Sequence, residues 1–253
     1  MRRVFSIPAA WLLAVACTAC SGGRAVNPEL GTEMPPRILW AWERREDLRF
    51  LDPARFGVAF HAQTLALRND EVRFQPRRQP LEIAPGTYLI AVTRIETDKR
   101  SENRPMLSAE QRRRIVDRVR QSMDLPQVRS VQIDFDAAVS ERRFYRELIG
   151  EIRAALPPDV RLTITALASW CAGDGWIGDL PVDEAVPMAF VMGADSERIR
   201  DSLTKGQDWR EPLCRGSYGF ALEEPIDAPL RPERRIYYFK SSAWNAADIE
   251  RLR

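Results

Sequence analysis

Asp134 and Asp136 sit two residues apart in the segment Ser130-Val-Gln-Ile-Asp-Phe-Asp136. The segment alternates strictly, so Gln132, Asp134 and Asp136 fall on one face of a strand and Val131, Ile133 and Phe135 on the other. The flanking segments read as parallel-sheet strands, which are covered on both faces. Two carboxylates then point into a cleft or barrel at the strand's C-terminal end. Lost hydration and mutual repulsion there push at least one pKa up, which suits general acid–base work. The plainer alternative is a strand-end pair that binds arginine and caps loops.

Carboxylates carry this expectation because the chain has a single histidine, His61. One imidazole does not furnish a zinc site that needs two or three. His61 lies in Val58-Ala-Phe-His-Ala-Gln-Thr64 and reads as a hydrogen-bonded core histidine. No cofactor is implied, and no Gly-rich phosphate loop follows any strand. A Mg or Ca site built from the carboxylates stays open as an alternative. With 38 basic and 36 acidic residues, net +2, the charges are mixed and no basic field points to nucleic acid.

Eight extended segments must position these groups. They start at Arg37, Gly57, Thr87, Ser130, Arg161, Ala185, Ser217 and Arg235. Helices are expected from the capping box at Ser108, with Ile115, Val116, Val119 and Met123 on one side. Further helices are expected from Ser140, with the stripe Phe144, Leu148, Ile152 and Leu156, then over 195–203 and after Asn245. A helical turn is expected over 44–54, and a β-hairpin around Asn69-Asp70 in place of a helix. The alternation predicts an α/β fold, a (β/α)8 TIM-like barrel over 37–253 with a hairpin insertion after strand 2 and some helices short or missing. An open doubly wound sheet is the runner-up. In a barrel all strand C-termini meet at one rim. That rim would gather Glu43, Glu96, Asp134, Asp136 and Glu223 as candidate acids, with Arg94 and Lys240 as cations. Trp42, Trp170 and Trp244 would be platforms for sugar rings.

Residues 1–20 read as an export signal with a basic start and a short apolar run. Leu13-Ala-Val-Ala-Cys17 resembles a bacterial lipobox, and Cys20 is a second candidate for lipidation. The resemblance implies a lipid-anchored protein of the cell envelope, on its periplasmic face, or a secreted one if the signal is simply cleaved. Residues 21–36 read as a tether. Cys171 and Cys214 remain, and in an oxidising compartment they are expected to form one disulfide, with free thiols as the alternative.

Trp40-Ala-Trp-Glu-Arg-Arg-Glu-Asp-Leu48, Val131-Gln-Ile-Asp-Phe-Asp-Ala137, Leu162 through Cys171 and Pro181-Val-Asp-Glu-Ala-Val-Pro-Met188 resemble a bacterial family known only as domain of unknown function 3142. That resemblance implies a barrel related to glycoside hydrolases, without a known substrate. Asp134-Phe-Asp136 also looks like the inner part of the chitinase-type strand D-x-x-D-x-D-x-E, in which the terminal Glu is the acid. Here that position is Ala138, and Val131 stands at the first Asp. The expectation is an envelope-anchored barrel that binds, and in one reading hydrolyses, a carbohydrate polymer through rim carboxylates. The alternatives are a non-catalytic glycan-binding or scaffold lipoprotein and a metal-dependent esterase or phosphodiesterase.

Overall fold

A computed structural model describes residues 34–252. The export signal, both candidate lipidation cysteines and the tether up to residue 33 lie outside the described residues. Eleven strands are found among them: β1 Arg37–Ala41, β2 Glu46–Leu48, β3 Phe56–Arg68, β4 Glu71–Pro76, β5 Leu81–Ile83, β6 Tyr88–Thr97, β7 Val128–Asp134, β8 Arg161–Leu167, β9 Glu184–Met188, β10 Ser217–Ala221 and β11 Arg235–Phe239. The helices are α1 Ala109–Ser122, α2 Arg142–Ala155, α3 Ser196–Thr204 and α4 Ala246–Ile249.

Eight of the strands close into a parallel barrel in the order β1, β3, β6, β7, β8, β9, β10, β11. Closure is made by β1, which pairs in parallel with β11 on one side and with β3 on the other. The expected TIM-like barrel is therefore the fold. Alternation sorts the side chains into two layers. Ile38, Trp40, Ala59, Ile90, Val92, Val186, Tyr237 and Phe239 fill the barrel. Leu39, Val58, Ala91, Ile133, Ile164 and Tyr238 face the surrounding helices and loops.

Helix α1 begins where the sequence places its cap. The Ser108 hydroxyl accepts from the Gln111 N–H at 3.2 Å, and the Gln111 amide oxygen accepts from the Ser108 N–H at 3.2 Å. Gln111 also donates to the carbonyls of Asn69 and Glu71, pinning the hairpin turn to the helix start. Helix α2 buries Phe144, Leu148 and Ile152 on one stripe, and Pro157-Pro158 forbids its continuation. Burying each such side chain contributes roughly 1.5–3 kcal/mol.

Where helices are missing, the connections are β structure or loop. Residues 44–54 hold the short strand β2, parallel to β5, in place of the expected helical turn. Burial explains the difference: Glu46 and Leu48 are both buried, with Asp47 exposed between them, a period of two. The hairpin expectation holds. The far half of β3 outruns β1, and over Gln63–Arg68 it pairs antiparallel with β4. The turn uses Asn69 at φ 51, a conformation asparagine tolerates. Between β9 and β10 the seam is narrow. Pro187 has no N–H to give, and Gly219 is needed because a Cβ there would lie 2.5 Å from the Pro187 carbonyl oxygen.

One boundary shifts. The tether was expected to run to residue 36, but Met34 is only 3% exposed and is packed into the base of the barrel. The Pro35 and Pro36 carbonyls accept from Arg235 Nε and the Ile236 N–H. The expected disulfide joins Cys171 to Cys214. Closing a loop of 43 residues, it stabilises the fold by about 4 kcal/mol in the chain-entropy view.

Candidate active site

Strand β7 delivers Asp134 to the C-terminal mouth of the barrel on the inward face, as alternation requires. It is 3% exposed and fully engaged. Arg94 Nη1 donates to Asp134 Oδ2 at 2.7 Å, and the Thr165 hydroxyl donates to Oδ1 at 2.7 Å. Arg94 comes from the neighbouring strand β6, in direct register with Asp134. Its Nε also donates to Glu96 Oε1 at 3.0 Å. One layer deeper, Trp40 Nε1 donates to Gln132 Oε1 at 2.8 Å, and Gln132 Nε2 donates to Thr163 Oγ1 at 3.2 Å. This buried chain ties β1, β7 and β8 together beneath the charged layer.

Asp136 lies just past the strand end and reaches solvent. Among the described residues no hydrogen bond to its carboxylate is found. Lost hydration within the mouth pushes its pKa above the ordinary carboxylate value, and the negative charge of Asp134 adds to this; Arg94 and Lys99 oppose it. Asp134 is thus held in place by Arg94 and Thr165, whereas Asp136 is a free carboxyl that keeps its proton to higher pH than usual.

A groove of about 540 Å³ opens beside this pair. Trp42, Glu43, His61, Thr64, Arg78, Arg94 and Glu96 are on its walls. The overhanging β3–β4 hairpin forms one side through Thr64, Gln75 and Pro76. Trp42 is half-buried, 4.3 Å from the Trp40 ring, with the Arg94 guanidinium 6.0 Å from its own ring. Glu43 Oε1 accepts from the N–H groups of Arg78 and Gln79, at 2.8 and 3.2 Å. Its other oxygen lies 3.6 Å from His61 Nδ1.

Of the residues expected at the rim, Glu43, Glu96, Trp42 and Arg94 come together in this groove, and Arg94 links them to Asp134. Glu223 follows β10 and is exposed. Burial raises its pKa, but the N–H and hydroxyl of Ser241 both donate to Oε1 and, with Lys240, bring it below the ordinary value.

Three residues are elsewhere. Lys240 shares the outward parity of Ile236 and Tyr238, and its Nζ is buried on Asp248 Oδ2 at 2.5 Å and the Ala243 carbonyl at 2.9 Å. Trp244 is 4% exposed, its Nε1 donating to the Trp40 carbonyl. Trp170 is not on a strand, because β8 ends at Leu167 and the chain turns through a π-helical segment over Trp170–Asp174. There the Cys171 disulfide, and the Arg210 and Glu211 N–H groups on the Cys171 carbonyl, hold it in the outer core against Trp176 at 4.9 Å.

His61 is 6% exposed and hydrogen-bonded, as expected of a buried histidine, and its ring also borders the groove. Gly57, Ala59 and His61 share the inward face of β3, and that alternation was the available signal.

A family model described as a domain of unknown function, DUF3142, matches residues 85–222, more than half of the chain. The chain belongs to this family. No curated protein matches it. Among solved structures, a protein assigned as chitinase A from Streptomyces coelicolor is similar over 87% of this chain and 95% of its own. The TM-score is 0.56 and the identity 10%. The Bacillus cereus spore cortex-lytic enzyme SleL is similar over 74% of this chain, with TM-score 0.50 and 16% identity. The match spans about half, 51%, of that enzyme's length. At these identities the likeness shows the barrel fold.

Proposed function

We propose that the mouth of this DUF3142 barrel binds and hydrolyses a glycan, with Asp136 as the proton donor to the glycosidic oxygen. The observation that carries the reading is the unequal carboxyl pair: Asp134 is locked by Arg94 and Thr165, while Asp136 is free and has a raised pKa. A carboxyl whose surroundings raise its pKa is the member of such a pair suited to act as the acid. Asp134 is then a positioning residue that keeps Asp136 protonated. The second carboxyl is Glu223, whose pKa is lowered, or Glu96, paired with Arg94. Trp42 offers a flat apolar face to a sugar ring. The fold likeness to glycan-acting barrels supports the substrate class.

The test is turnover of chitin oligosaccharides and of peptidoglycan fragments by the wild type and Asp136→Asn. Loss of the acid is expected to cost about 10²- to 10⁴-fold in kcat. Undiminished turnover by the variant would sink the assignment. A second reading, binding without cleavage, draws on Ala138 at the chitinase-type acid position and on the pairing of both Asp134 and Glu96 with Arg94. It predicts thermal stabilisation by a glycan and no products.

The proposal includes an envelope anchor at Cys17 or Cys20. Incorporation of labelled palmitate that survives Cys17→Ala and Cys20→Ala together would remove it.

A further inference from the structure

The groove wall carries a second set of chemistry-bearing groups, separate from the Asp134–Asp136 pair. Residues 61 and 64 of a regular strand would point to opposite faces. The β3–β6 register shifts between His61 and Gln63, so Ala62 is an extra residue and the alternation is reset. His61 stands opposite Val92 and Thr64 opposite Arg94, and both therefore face inward. The Thr64 hydroxyl consequently lies 2.8 Å from His61 Nε2. On the far side of the ring, Nδ1 is buried without a hydrogen-bond partner, 3.6 Å from Glu43 Oε2.

Burial pushes the imidazole below its ordinary pKa, against the pull of Glu43, so it is neutral at pH 7. A neutral ring with its proton on Nδ1, toward the carboxylate, leaves Nε2 to accept the Thr64 proton. His61 and Thr64 both border the groove. The exposed Arg78 guanidinium, which pairs with no described carboxylate, supplies cationic donors on the same wall.

From this hydroxyl–imidazole–carboxylate alignment we propose that the groove is an ester-hydrolysing site for acyl groups carried on an alcohol or sugar hydroxyl. Thr64 is the nucleophile, His61 the general base and Glu43 the positioning residue. Thr64 Oγ1 attacks the ester carbonyl carbon while its proton passes to His61 Nε2. The ester C–O bond then breaks, and His61 returns that proton to the departing alcohol oxygen. Water attacks the acyl-threonine, giving one proton to His61; the carboxylic acid leaves, and Thr64 recovers its proton. Each half-reaction is closed with water as the only co-reactant.

The experiment is release of 4-nitrophenol from 4-nitrophenyl acetate by the full chain, with mass spectrometry of the trapped protein. Release above the buffer rate is expected, with an acetyl adduct on the peptide containing Thr64. Thr64→Val and His61→Gln are each expected to lose at least about 100-fold, while Thr64→Ser, less hindered at the nucleophile, retains the wild-type rate or exceeds it. Glu43→Gln moves the acid limb of the kcat/KM profile to lower pH, because the carboxylate that raises the His61 pKa is gone. Arg77 and Asp134, the other charged groups acting on the ring, are unchanged in that variant. Release no faster than buffer, an adduct elsewhere than Thr64, wild-type rates in Thr64→Val, or equal loss in Thr64→Ser and Thr64→Val overturns the proposal. None of these readouts depends on glycan turnover.

Discussion

The barrel encloses an arginine–carboxylate pair at each end, and the two differ in what surrounds them. At the base, Arg235 Nη1 lies 3.3 Å from both oxygens of Glu184, and the Tyr237 hydroxyl donates to Oε2 at 3.0 Å. Glu184 is 4% exposed, and Met34 is packed into the same end. At the mouth, Arg94 remains 30% exposed beside the buried Asp134, with Glu96 and Asp136 within its field. At the base both Glu184 oxygens are taken, and Arg161 beside them has, among the described residues, only the Met34 sulfur for its Nη1. The mouth leaves a carboxyl over, next to a groove. Identical pair chemistry thus serves cohesion where water is shut out and leaves a carboxyl unpaired where water can enter.

The contrast can be broken by measurement. The largest stability effect is expected from Glu184→Ala, which strands Arg235 in the dry base and costs about 3–5 kcal/mol in urea unfolding. Asp134→Ala leaves Arg94 with Glu96 and solvent, and is expected to cost about 1–3 kcal/mol while removing turnover. If the mouth variant proved the less stable of the two, the division between ends would be wrong.

A finer effect follows from Asp136. Its folded-state pKa is raised, so the folded protein binds the extra proton and stability falls as pH rises from the ordinary carboxylate value through the folded one. Asp136→Asn is therefore expected to be the more stable form at neutral pH, with the gap closing below the ordinary carboxylate pKa. A constant gap across that range would mean that the site does not perturb Asp136. The smallest change is expected from Trp42→Ala, about tenfold in the Kd for an oligosaccharide, or about 1.4 kcal/mol.

How much of this could be read from the chain depended on whether alternation ran unbroken. It did through β7, so Asp134 was placed on the inward face, and the eight strands and the hairpin followed from the same pattern. It also ran unbroken through β11, where Ile236, Tyr238 and Lys240 share the outward face; the position of Lys240 at a strand end outweighed that parity. In β3 the extra residue at Ala62 broke the alternation. No composition rule marks such a bulge, so the Thr64–His61 contact was invisible. Trp170 was misplaced by a long-range constraint, since the disulfide and the π-helical turn end β8 early. β2 was too short for its period of two to stand out against a helical turn.

Met34 fixes a polarity for the whole molecule. The described chain starts at the pole opposite the groove, and β1 rises from there to the mouth at about 3.3 Å per residue. Whatever is joined upstream of Met34 is handed to that far pole. A surface holding this end would find the groove turned outward, with no part of the barrel between it and the surroundings.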